Sequence, residues 1–140
     1  MNTLILIVGL PGVGKTTTAK VLCKGIYGAV RLSMDDLATS TDGVYTYDTT
    51  QTDEIIKKFN DLVEAQMNAG TPCIIIDNTN TSLTGRITLL EMARQKHYHA
   101  RIKVINLDFS DEALAKRSTH AVPVETIARM RQKLIEQGLM

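Results

Sequence analysis

Apolar residues gather in four short runs, separated by stretches in which they recur at helical spacing. Residues 4–8 are nearly all apolar, as in a central parallel strand covered on both faces. A first helix is expected from about residue 14 to 24, ending near Gly25, where a left-handed residue can stop it. Residues 29–33 read as a short second strand. Ile55, Ile56, Phe59, Leu62, Val63 and Met67 share one helical face, and Gly70-Thr71-Pro72 closes that helix. Residues 73–77 form a third strand that ends in the carboxylate of Asp77. Leu83, Ile87 and Leu90 mark another amphipathic helix, which carries Arg86 and ends near His97. Residues 102–107 read as the fourth strand. Ser110, followed by Asp111 and Glu112, caps a short helix that reaches Lys116-Arg117. Pro123 suits the first turn of a last helix with Ile127, Met130 and Leu134 on one face. The polar stretch 39–50, with Asp42-Gly43 as a turn, reads as a mobile loop over the site.

Between the first strand and first helix stands Gly9-Leu10-Pro11-Gly12-Val13-Gly14-Lys15-Thr16. This is GxxxxGK[ST] in the strand–loop–helix context that makes it a phosphate-binding loop. Its glycines let backbone N–H groups converge on a β-phosphate, and the helix N-terminus adds unpaired donors and partial positive charge. Gly12, Val13, Gly14, Lys15, Thr16 and Thr17 are therefore the candidate nucleotide-binding residues. In such loops the lysine reaches the β- and γ-phosphates and the Thr16 hydroxyl holds Mg²⁺. Strands alternating with helices through right-handed crossovers then predict an α/β fold. We expect a P-loop kinase three-layer sandwich, its four-stranded parallel sheet in the order 2-3-1-4 with helices on both faces.

The 140 residues suit one domain, 1–140. Sixteen basic against fifteen acidic residues argue neither for nor against a nucleic-acid partner. Cys23 and Cys73 match no metal-ligand spacing and read as buried free thiols, which fits a reducing cytoplasm. The first apolar run is too short to span a membrane and has no basic residues before it, unlike a signal peptide.

Asp77 closes a neighbouring apolar strand, where a carboxylate can help hold the metal through water or simply cap a turn. Asp35 and Asp36 follow the second strand on the sheet edge that bears the loop, and either could accept a proton from an acceptor hydroxyl. Arg117 could neutralise charge on a transferred phosphoryl group, or belong to a solvated basic turn. Arg86 could face the site or solvent. His97, His99 and His120 read as ordinary surface histidines, and Arg129, Arg131 and Lys133 as the solvated face of the last helix.

Together these residues resemble the kinase domain of polynucleotide 5′-hydroxyl kinases, both the bacteriophage type and the kinase half of the animal end-repair enzyme. The loop through Thr17, the Ser33-Met34-Asp35-Asp36 segment, Asp77-Asn78-Thr79-Asn80 and residues 116–123 (KRSTHAVP) carry the resemblance. It implies ATP and Mg²⁺ as cofactors, a 5′-hydroxyl DNA or RNA end as acceptor, and Asp35 as the general base. Lys15 and Arg117 would stabilise the phosphoryl group. Arg86 falls where the family keeps an arginine and joins Asp35 as a candidate substrate-binding residue. Two positions depart from the pattern: Met34 and Ala38 both stand where the family has arginine. Losing an arginine that contacts an acceptor phosphate weakens a nucleic-acid acceptor. A small-molecule P-loop kinase, acting on a nucleoside, nucleotide, antibiotic or sugar nucleotide, is therefore the alternative, with a nucleotide-dependent switch or ATPase behind it.

Overall fold

The computed structural model describes residues 1–38 and 52–140. The loop expected over residues 39–50 lies outside the described residues.

Strand β1 (Thr3–Val8) runs through the middle of a four-stranded sheet. It pairs in parallel with β3 (Cys73–Asp77) on one side and β4 (His99–Val104) on the other. Strand β2 (Ala29–Leu32) pairs in parallel with β3, giving the order β2-β3-β1-β4. The order is the one expected from sequence. Its register sets Ile7 opposite Asp77, so the carboxylate lies beside the end of the strand that feeds the phosphate-binding loop.

Alternation along β1 divides the core between the two faces. Leu4 and Leu6 pack with Phe59, Val63 and Met67 of α3 (Thr52–Asn68) and with Leu89 and Ala93 of α4 (Leu83–Gln95). Ile7 packs on the opposite face with Ile75 and Ala19 of α1 (Lys15–Gly25). A third cluster joins Val8, Leu10 and Val13 to Leu114 of α5 (Asp111–Arg117) and to Ile127 and Leu134 of α6 (Val124–Glu136). It lies against the loop itself, so the last two helices brace the loop. Ser110 caps α5 as expected, accepting the Ala113 N–H at 3.1 Å. Cys73 is a buried and Cys23 a half-buried free thiol.

Three elements differ from the expectation. Strand β4 begins at His99, three residues before the apolar run predicted for it. As a sheet edge it tolerates solvent-facing His99, Arg101 and Lys103, whose polarity hides a strand. The chain leaves the sheet after Ile105, whose N–H still reaches the Val8 carbonyl at 2.8 Å. Helix α4 exposes Leu83 and Ile87 and buries Arg86, Leu89 and Ala93, so its inner face is centred on a charged residue. The acidic pair after β2 lies in a short helix, α2 (Met34–Ala38).

Candidate active site

The phosphate-binding loop owes its shape to close packing and left-handed glycines. A side chain at Gly9 would meet Val13 Cγ1 at 2.9 Å, and one at Gly12 (φ +80°) would lie 2.4 Å from the Leu114 carbonyl oxygen. Gly14 stands at the N-cap of α1 with φ 107° and offers no side-chain cap, and the first turn carries no acidic residue. The N–H groups at this end of α1 are thus available to an anion. The side chains of Thr16 and Thr17 are exposed beside it.

Lys15 folds back and donates to the Leu10 carbonyl at 3.0 Å. Burial holds its ammonium below the ordinary lysine range, and the charges of Asp77 and then Asp35 oppose that shift. Asp77 ends β3 opposite Ile7 of β1, and α2, which carries Asp35, starts on the bond from the Met34 N–H to Asn78. The elements that bear Lys15, Asp35 and Asp77 thus meet at one end of the sheet.

The four residues after Ile76 tie this end of the sheet to its surroundings. Asp77 is buried and accepts from Arg31 Nε at 2.8 Å through Oδ2. Asn78 Oδ1 accepts the Met34 N–H at 2.7 Å, fixing the start of α2. The Thr79 carbonyl accepts from Gly9 N at 3.1 Å. Asn80, at φ 52°, donates through Nδ2 to the Ile7 carbonyl at 2.6 Å. One tetrapeptide thus holds β2, α2, the loop and β1 in mutual register.

Arg117 packs on the loop from α5. Its Nε donates to the Gly12 carbonyl at 2.9 Å, and its guanidinium lies 4.4 Å from the centroid of the Phe109 ring. Arg86 is placed differently from the other candidates. It is 5% exposed, donates to the Asn80 carbonyl at 2.8 Å, and is hydrogen-bonded to Gln137 Oε1. Gln137 in turn donates to the Thr81 carbonyl at 3.0 Å. These bonds join α4 and the chain after α6 to the strand-end tetrapeptide.

Two side chains enter the site that sequence reasoning did not place there. Arg31 pairs with Asp77 and also with Asp36, at 3.1 Å. His120, read as a surface histidine, sits with Nε2 3.4 Å from Asp35 Oδ2. Its only signal in the sequence is its place in the segment between α5 and α6. Arg131, read as solvated, binds Asp111 Oδ1 and the Phe109 carbonyl, both at 2.7 Å, and so locks α6 to α5.

The oxygen donors available for a metal are the Thr16 hydroxyl and the Asp77 carboxylate, hard ligands of the kind Mg²⁺ takes. The Arg31 pair engages Oδ2 of Asp77. A carboxylate has acceptor positions on both oxygens, so Asp77 could still serve metal-bound water. The donor set fits the ion.

A family model described as AAA domain matches residues 4–136. The chain belongs to the AAA domain family. Among solved structures, this AAA domain resembles a chain of the Pnkp1/Rnl/Hen1 RNA repair complex, with a TM-score of 0.79 and 25% identity. That match covers 98% of this chain and 45% of the other, so the AAA domain spans under half the length of the chain it resembles. A gluconokinase from Sinorhizobium meliloti 1021 shares the fold at 13% identity, with a TM-score of 0.61 over 94% of this chain and 74% of that one. The Mycobacterium tuberculosis APS kinase CysC, solved with AMPPNP and APS, does so at 15% identity, with a TM-score of 0.54 and coverage of 97% and 72%. The fold is that of P-loop kinases. Among the described residues, no helix is long and apolar enough to cross a membrane.

Proposed function

We propose that this AAA domain is an ATP-dependent kinase that transfers the γ-phosphoryl group to the 5′-hydroxyl of a DNA or RNA end. The observation that carries the reading is that residues 77–80 tie the phosphate-binding loop, the end of β1 and the helix bearing Asp35 to one end of the sheet. The likeness to a chain of an RNA repair complex supports the choice of acceptor. ATP would occupy residues 9–17, its β-phosphate on the loop N–H groups and the N-terminus of α1. Lys15 would leave the Leu10 carbonyl for the β- and γ-phosphates. Thr16 and Asp77 would hold Mg²⁺, which would supply charge neutralisation at the phosphates.

Asp35 orients the acceptor hydroxyl in line with the γ-phosphorus and takes its proton. The acceptor oxygen forms the new P–O bond as the bond to the β-phosphate oxygen breaks, and ADP departs. Arg117, beside Gly12, would add positive charge to the phosphoryl group in transfer.

The test is transfer from γ-labelled ATP with Mg²⁺ to a 5′-hydroxyl oligonucleotide, beside a panel of nucleosides and small alcohols. Label should reach the oligonucleotide, and Asp35→Asn should lower kcat by about 10²- to 10⁴-fold, the usual contribution of a general base. Unchanged turnover in that variant would remove Asp35 from the role. The second reading is a small-molecule kinase. Met34 and Ala38 favour it, because they withdraw arginines from the acceptor side. Label on a small alcohol alone would establish it.

A further inference from the structure

The candidate base rides on the first turn of α2. A first helical turn gains little stability from its own hydrogen bonds, so the position of Asp35 depends on what holds α2. Its first N–H is held by Asn78 Oδ1, Met34 packs on the core, Leu37 lines a cleft with Lys58, Asp61 and Leu62 of α3, and His120 Nε2 lies 3.4 Å from Asp35 Oδ2. A further tie comes from β2. Arg31 Nε binds Asp77 Oδ2 at 2.8 Å while Nη1 binds Asp36 Oδ2 at 3.1 Å. We infer that Arg31 is a positioning residue of the transfer site: anchored on Asp77, its guanidinium grips Asp36 and so helps to set where Asp35 stands.

The two ends of this bridge are unequal, and the inequality gives it direction. The Asp77 side chain is 2% exposed and the Asp36 side chain 63% exposed. An exposed ion pair usually contributes little, because two flexible side chains must be fixed to form it. Here the buried end has already fixed the guanidinium, and its planar fork presents Nη1 to Asp36 with little further ordering. Arg31 also balances a buried carboxylate. A lysine would restore the charge but not the two-pronged geometry.

This inference rests on the proposed role of Asp35, so one of its readouts needs no acceptor. In Asp36→Asn the Asp77 anchor persists and only the grip on α2 is lost. The Met34 amide, held by Asn78, should then exchange hydrogen about two- to fivefold faster by NMR, the range expected for one ion pair, while global unfolding stays unchanged. In Arg31→Gln the exchange should accelerate further, kcat should fall at least about tenfold, and KM for ATP should stay within about twofold, with Arg31→Lys only partly rescuing kcat. Met34 exchange unchanged in both Asp36→Asn and Arg31→Gln would overturn the inference. So would a defect in Arg31→Gln that Arg31→Lys restores in full. If no acceptor is found at all, the proposed function fails, and the exchange measurement still decides whether Arg31 holds α2.

Discussion

Gly12 and Gly14 form a matched pair on which the packing of the loop can be tested. Both have positive φ, +80° and +107°, so an alanine at either position carries left-handed strain. That strain amounts to about 1–2 kcal/mol. The surroundings differ. A Cβ at Gly14 meets nothing within 4 Å, whereas one at Gly12 lies 2.4 Å from the Leu114 carbonyl oxygen and 3.2 Å from Arg117 Cβ. An ordinary C···O contact is about 3.3 Å or longer, so α5 must retreat. Leu114 is fully buried in the cluster that braces the loop, and forced overpacking of that kind costs about 1–3 kcal/mol. Gly14→Ala should therefore lose about 1–2 kcal/mol and Gly12→Ala about 2–5 kcal/mol. Urea unfolding without nucleotide gives both values, with the m-value unchanged if the folded and unfolded states stay comparable. Omitting nucleotide matters, because ligand binding would add its own stabilisation to any variant that still binds. A loss in Gly12→Ala within about 0.5 kcal/mol of that in Gly14→Ala, an ordinary margin for independent sites, would refute the claim that α5 is packed hard against the loop.

Arg86 separates an architectural role from a substrate role. Arg86→Met removes the bonds to the Asn80 carbonyl and to Gln137, leaving half-buried polar groups short of a partner, and should cost about 1–3 kcal/mol in urea unfolding. A raised acceptor KM with unchanged stability would return Arg86 to the substrate. Lys15 gives a pH signature. Its folded-state pKa is lowered, so the unfolded chain binds more protons between that value and the ordinary lysine value. The resulting penalty on folding is full below the lowered pKa and gone above the ordinary one. The stability of the nucleotide-free protein relative to Lys15→Met should therefore rise with pH across that alkaline window, and a flat or falling difference in paired denaturation curves would contradict it.

Much of the fold was legible because its signals are local. Uninterrupted apolar runs announced β1 and β3, and helical spacing announced α3. The glycines and Lys15 announced the loop, because a converging set of backbone N–H groups tolerates few side chains. Edge strand β4 was harder, since four of its six residues are exposed and its pattern is that of any polar segment. The inner face of α4 was misread for a related reason. Arg86 is buried only because Asn80 and Gln137 satisfy it, and neither partner is adjacent in sequence.

The same reasoning explains which parts of the site escaped. Asp35, Asp77 and Lys15 carry chemistry that their residue types disclose. Arg31 and His120 matter through where they are: Arg31 reaches Asp77 across 46 positions, and His120 meets Asp35 only once α5 and α6 have folded against the loop. The tetrapeptide from Asp77 to Asn80 spans both kinds. Its aspartate pairs with Arg31, while Asn78, Thr79 and Asn80 spend hydrogen bonds on Met34, Gly9 and Ile7. A charge acts over distance and tolerates a small displacement, but a residue that holds register must match one particular backbone atom. That is why the three residues after Asp77 commit their hydrogen bonds to backbone partners, while Asp77 answers a guanidinium 46 positions away.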